Sequence, residues 1–345
     1  MQTSIQIPPV AIAMAVDLLA GGNVVAFPTE TVYGLGADAG RADAVERVYR
    51  VKGRPANNPL IVHAADVAAA QHCAGGWNPA AEILAKAFWP GPLTMVLPRG
   101  PRICVAACAG LDTMAIRVPN HPVAQEILAR FGRPVCAPSA NVSGHTSPTS
   151  AAHVLAELDG RILLIVDGGN CTIGLESTVV DMTADAPRVL RPGAITQEMI
   201  QRQIAAAGLN LTVHTAAPAC STADSPDETG AMVSPGLFSR HYAPRTPAFR
   251  FSRTRTPDVI NWLKTTAAGR RVIAVAFPEL PPLPGVGDVL VLPAGGADCA
   301  RQLYATLRRA DESGGDLILL EMPELRSGVW AAIVDRISRA AQEMP

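Results

Sequence analysis

Several short stretches of the chain carry polar side chains suited to an anionic ligand, each beside a run of apolar residues. Lys52 and Arg54 flank Gly53, with Asn57 and Asn58 close behind. A lysine point charge beside an arginine fork suits a polyphosphate; taken alone, the pattern also fits a solvated helix end. Arg117 stands inside the apolar run 114–118, MAIRV. A buried arginine needs a negative partner, either an acidic ligand or an internal carboxylate, and both readings stay open. Ser139, Asn141 and Ser143 follow Pro138 and offer hydroxyl, amide and backbone N–H groups to a phosphate, or form an ordinary polar loop. Ser177 beside Glu176, and Arg191 before Pro192-Gly193, repeat the design. His63 ends another apolar run and reads more readily as a core or surface histidine than as a ligand or base. In residues 27–39, FPTETVYGLGADA, Thr29, Glu30, Thr31 and Tyr33 crowd ahead of Gly34 and Gly36. One such exit is ordinary. Repetition at successive strand ends points to a single cavity for a phosphorylated ligand and a second polar ligand.

The elements that must position these residues read as alternating strands and helices. Apolar spacing gives helices over 9–20, 42–51, 66–73, 79–88, 122–131, 151–158 and 196–207. Strands are expected at 24–27, from 60 to 62, within 88–99, over 113–118, from 136, and over 162–169, 177–182 and 188–193. Gly34 and Gly36 read as room for the chain to turn beside a ligand. The domain ends near 212. Residues 213–247 read as a linker or lid, since 214–236 are rich in Ala, Ser, Thr, Pro and Asp without an apolar period. From 248 to 345 a second α/β unit follows, with continuous apolar strands such as 272–276 and 317–320 that suit a parallel sheet. The expected fold is α/β, a twisted open mixed sheet over 1–212 with a smaller Rossmann-like domain behind the linker.

The totals exclude several classes. The 345 residues are 48% hydrophobic but only 4% aromatic, so the core must be aliphatic. A net charge of −1 argues against a general polyanion-binding surface. Lysine occurs only at 52, 86 and 264. Seven scattered cysteines without a CxxC pair read as reduced thiols of a cytoplasmic protein. The apolar stretch 10–20 contains Asp17 and ends at Gly21-Gly22, so it reads as a helix rather than a signal or membrane span. GxxxxGK[ST], GxSxG, HExxH and paired Cys/His spacings are all absent, so no resident metal is expected.

In order and spacing, PTETVYGLG (28–36), KGRPANNPLIVH (52–63), WPGPLT (89–94), AIRVPNHP (115–122), APSANVSG (137–144), ESTVVD (176–181), RPGAIT (191–196) and SPGLFSRHYAPRTP (234–247) resemble the Sua5/YrdC/YciO family, in its longer Sua5 type. The resemblance implies an L-threonylcarbamoyladenylate synthase, a nucleotidyltransferase that joins L-threonine, bicarbonate and ATP and releases pyrophosphate. It further implies Mg2+ with the ATP, and a product handed to a transferase complex that modifies adenosine 37 of tRNA. By motif position, threonine would be held by Thr31, His63, Arg117, Ala137 and Ser177. ATP would meet Arg54, Asn58, Thr113, Ser139, Ser147, Arg191 and Tyr242. Lys52 and Arg54 would carry the charge stabilisation of the reaction. Leu237-Phe238 replaces the family's common Met-Lys after Ser-Pro-Gly, which leaves the lid's phosphate contacts open. Two other readings compete: an RNA-binding module with only weak tRNA contact, and a carbamoyl-transfer domain. Near-neutral charge without interleaved aromatics argues against the first, and the missing zinc-finger and acylphosphatase-like segments against the second.

Overall fold

The computed structural model describes residues 2–216 and 241–345. The lid motif positions Leu237, Phe238 and Arg240 lie outside the described residues. Two compact units divide the chain, one built on 2–143, 148–172 and 176–216, the other on 144–147, 173–175 and 241–345.

In the first unit the strands are β1 (Ser4–Gln6), β2 (Val25–Phe27), β3 (Gly34–Asp38), β4 (Ile61–His63), β5 (Leu93–Pro98), β6 (Thr113–Arg117), β7 (Val135–Cys136), β8 (Leu164–Val166), β9 (Thr178–Asp181), β10 (Arg188–Arg191) and β11 (His214–Thr215). They form one mixed sheet in the order β1-β8-β2-β3-β7-β4-β6-β5-β9-β10-β11. Helices α1 (Val10–Ala20), α2 (Ala42–Lys52), α3 (Val67–Cys73), α4 (Pro79–Phe88), α5 (Pro122–Phe131), α6 (Ala151–Leu158) and α7 (Gln197–Ala206) accompany it. The caps follow local chemistry. Asp66, Asn78, Ser150 and Thr196 each accept a backbone N–H at a helix start. Gly53 closes α2 in the left-handed region, at φ 62°, where a side chain would be strained.

The core is aliphatic. One cluster joins Leu35, Val45, Val62, Leu84, Met95 and Ile116, among others. A second packs α1 and α5 residues such as Ile12, Leu19, Ile127 and Leu128 around Phe27 and Val166.

The glycines of 34–36 lie inside a strand. β3 pairs antiparallel with β2, setting Gly34 opposite Phe27 and Gly36 opposite Val25. A Cβ on Gly36 would stand 2.5 Å from Cε1 of Phe27 and 2.9 Å from Cγ1 of Val135. Close packing against an aromatic ring, rather than a turn, is what requires glycine there.

The second unit is a parallel sheet in the order β14-β13-β15-β12-β16, from β12 (Ala248–Ser252), β13 (Val272–Ala276), β14 (Val286–Val291), β15 (Leu317–Met322) and β16 (Gln342–Glu343). Its helices are α8 (Thr256–Thr265), α9 (Gly296–Glu312) and α10 (Val329–Ala340). β13 and β15 are buried along most of their length, whereas the edge strand β14 is largely exposed, as the apolar runs imply. No helix among the described residues is long and apolar enough to cross a membrane.

Candidate active site

Neighbouring strand ends carry most of the threonine-site candidates. β4 and β6 run parallel with His63 opposite Arg117, and β7 runs antiparallel to β4 with Val135 opposite His63. Ala137, just past β7, donates its backbone N–H to Ile61 at 2.8 Å. Arg117 is only 3% exposed. Its Nη1 donates to Thr31 Oγ1 at 2.8 Å and its Nη2 to Glu30 Oε2 at 2.5 Å. Both open readings of Arg117 are thereby narrowed: it has an internal carboxylate, Glu30, one residue before Thr31. Thr29 fixes the segment, its Oγ1 lying 2.8 Å from Thr31 Oγ1 and donating to the Val32 carbonyl at 2.6 Å. Tyr33 braces the wall from behind, its hydroxyl donating to the Gly169 carbonyl at 2.7 Å.

His63 is buried and sits edge-on to Phe27, with ring centroids 6.4 Å apart. Nδ1 lies 3.1 Å from the Ile61 carbonyl, which can only accept, so Nδ1 carries the proton. Burial, then the charge of Arg117, press its pKa down from 6.5 to about 3, so the imidazole is neutral near pH 7.

Ser177 and Arg191 form a second group. Ser177 Oγ lies 2.7 Å from Thr94 Oγ1, and Arg191 Nε and Nη2 donate to the Ser177 carbonyl at 3.2 and 3.0 Å. Arg191 is near enough for its charge to act against that of Arg117.

Lys52 and Arg54 behave differently from a solvated helix end. Lys52 is 1% exposed; its Nζ donates to the Ser139 carbonyl at 2.5 Å and to the Asn141 carbonyl. Burial, then Arg54, hold its pKa well below the usual lysine value. Its amine is therefore engaged in fixing the 139–141 loop. Gly34 bridges to Ser139 and Ala140 donates to the Tyr33 carbonyl at 2.8 Å, which ties that loop to β3. Arg54 folds back over its own loop, with Nη2 donating to Asn58 Oδ1 at 2.5 Å and to the Pro59 carbonyl at 2.8 Å. Thr113 opens β6, four residues before Arg117 and opposite Pro98.

Ser147 and Tyr242 belong to the second unit. Thr146 Oγ1 donates to the Tyr242 carbonyl at 3.2 Å, and the Tyr242 ring stacks on Tyr304 at 5.7 Å. The Arg336 guanidinium lies 5.1 Å from its centroid. Tyr242 is fully buried with a φ of 62°, uncommon for a tyrosine. A separate cleft of about 460 Å3, lined by Asn78, Met182, Asp185 and Leu211 among others, holds none of the candidates.

Glu30 and Thr94 are contacts that the residue-by-residue reading left without a role. The signal for Glu30 was the buried arginine itself, which demands a carboxylate.

The family described as Telomere recombination, Sua5_yciO_yrdC, matches residues 17–193. The Threonylcarbamoyl-AMP synthase, C-terminal domain, Sua5_C, matches 195–342. The threonylcarbamoyl-AMP synthase of Bacillus subtilis is 42% identical over 96% of this chain and 92% of its own length. That of Pyrococcus abyssi is 38% identical over 96% of this chain and 94% of its own. The crystal structure of P. abyssi Sua5 complexed with L-threonine matches all of both chains at 35% identity, with a TM-score of 0.87. With both domains matched in tandem and relatives aligned almost end to end, this chain belongs to the Sua5/YrdC/YciO family, in the long form that carries the Sua5 C-terminal domain.

Proposed function

We propose that the chain is a threonylcarbamoyl-AMP synthase, forming threonylcarbamoyl-AMP and pyrophosphate from L-threonine, bicarbonate and ATP, and hence a nucleotidyltransferase. The relatives that share this length carry that name. The observation that carries the reading is the burial of four basic side chains, Lys52, Arg54, Arg117 and Arg191, each less than a tenth exposed. Buried basic groups suit anionic ligands, and the substrates bring a carboxylate and a triphosphate.

Arg117 and Thr31 would receive the threonine, with neutral His63, the Ala137 backbone and Ser177 around it. Arg54, Asn58, Thr113, Ser139 and Arg191 would receive ATP. In the reaction, the threonine ammonium first gives up a proton. The free amine then forms an N–C bond to the carbon of bicarbonate or dissolved CO2 and loses a second proton. With CO2 one C=O π bond opens; with bicarbonate a C–O bond breaks and the hydroxide leaves with that second proton as water. An oxygen of the resulting N-carboxylate attacks the α-phosphorus, and pyrophosphate leaves with the bonding pair. No protein nucleophile is required. Placing the two anions together against their repulsion is the main task, and fixed positive charge performs it. Lys52 would contribute by holding the 139–141 loop as well as by its charge. Mg2+ would neutralise the triphosphate.

The product would pass, in the cytoplasm, to a transferase complex acting on tRNA. Mass spectrometry of a mixture of the protein with L-threonine, bicarbonate and ATP tests the reading. Threonylcarbamoyl-AMP is the expected product; ADP and phosphate alone would contradict it.

A further inference from the structure

The Glu30–Arg117 pair leaves one polar atom on each side without a partner. Glu30 Oε1 and Arg117 Nε are both buried and make no hydrogen bond, although Oε2 and Nη2 are joined at 2.5 Å. Such atoms are costly and uncommon in a native protein. One is an anionic acceptor and the other a cationic donor. A zwitterion offers the complement of both: an ammonium that donates and a carboxylate that accepts. Thr31 Oγ1, engaged by Arg117 Nη1, lies on the same guanidinium and gives a hydroxyl for a third contact. Both orphaned atoms are closed off from solvent, so an entering amino acid must part the pair to reach them.

We infer that Glu30 is a substrate-binding residue, whose Oε1 accepts the α-amino group of the amino acid while Arg117 takes its carboxylate. This rests on the proposed function and deepens it. Glu30 would select for an amino acid over an otherwise equal hydroxy acid, and would aim the nitrogen that must form the new N–C bond. A counter-ion serving Arg117 alone would not discriminate at that nitrogen.

Calorimetric binding of L-threonine, and of its analogue with a hydroxyl in place of the amine, separates the two roles. The protein as it stands should prefer threonine by about 10-fold or more. Glu30→Gln should lose about 10-fold or more of its threonine affinity, with the analogue changed by less than about threefold. Equal losses for both ligands, or no loss for either, would overturn the inference. ATP affinity and circular dichroism check the fold. Should Glu30→Gln not fold, Glu30→Asp keeps the charge opposite Arg117 but withdraws the acceptor, and unchanged discrimination there would equally overturn it. The reading of the whole protein is tested separately: if the unaltered chain binds no threonine, the proposed function fails, whereas threonine binding indifferent to Glu30 defeats only this inference.

Discussion

Replacing His63 with glutamine should flatten the acid side of the protein's stability profile. The imidazole is buried and held neutral, with a folded pKa of about 3 against 6.5 when free. Between those two values the unfolded chain binds a proton that the folded chain refuses. Stability from this group therefore rises with pH through that window, and is lost as pH falls from 6.5 toward 3. Moving from about pH 7.5 to about pH 5 protonates the unfolded histidine almost fully, which costs about 2 kcal/mol. Exposure of His63 is only 4%, so solvent screening does not reduce the figure much. The assay is urea unfolding at the two pH values, followed through hydrogen exchange at the amides of β4 so that the first unit is read by itself. The unaltered protein should lose about 2 kcal/mol more than His63→Gln on acidification. Equal losses would show that His63 charges freely in the folded protein, and the neutral imidazole beside Arg117 would have to be abandoned.

Other substitutions probe the remaining supports. Gly36→Ala drives a methyl against Phe27 and Val135, within 2.5 and 2.9 Å, and should cost about 1–3 kcal/mol; an unchanged melting temperature would show that β3 is not packed as described. Arg117→Lys keeps a charge opposite Glu30 but loses the fork, so KM for threonine should rise about 10-fold with KM for ATP within about twofold. Equal rises in both would point to general loosening of the sheet. Lys52→Met removes the buried amine and frees the 139–141 loop. KM for ATP should rise about 10-fold or more while thermal stability falls, since the Ser139 and Asn141 carbonyls lose their donor, and normal ATP kinetics would exclude the loop as part of the nucleotide site.

Much of the architecture was legible because it is written in short-range patterns. Apolar spacing and caps located α1, α2, α5 and α7 to within a residue or two, and the continuous runs 272–276 and 317–320 announced the parallel sheet. β3 was not legible. Gly34-Leu35-Gly36-Ala37-Asp38 is poor in strand-favouring residues, and its strand character comes from β2 and β7 beside it. β1 is equally silent, since Ser4–Gln6 pairs with Leu164–Val166 across about 160 residues of chain. At the site, the residue types were readable but their partners were not. Nothing local to Arg117 names Glu30 as its carboxylate, because 87 residues separate them. Lys52 read more readily as a solvated helix end, since the carbonyls that hold it, those of Ser139 and Asn141, lie far along the chain.

Pyrophosphate release from ATP tests the central claim most directly, measured with the complete mixture and again with L-threonine or bicarbonate left out. Release that requires both is the expected result. Release that continues at the same rate without either one would contradict the assignment of this site to threonylcarbamoyl-AMP synthesis.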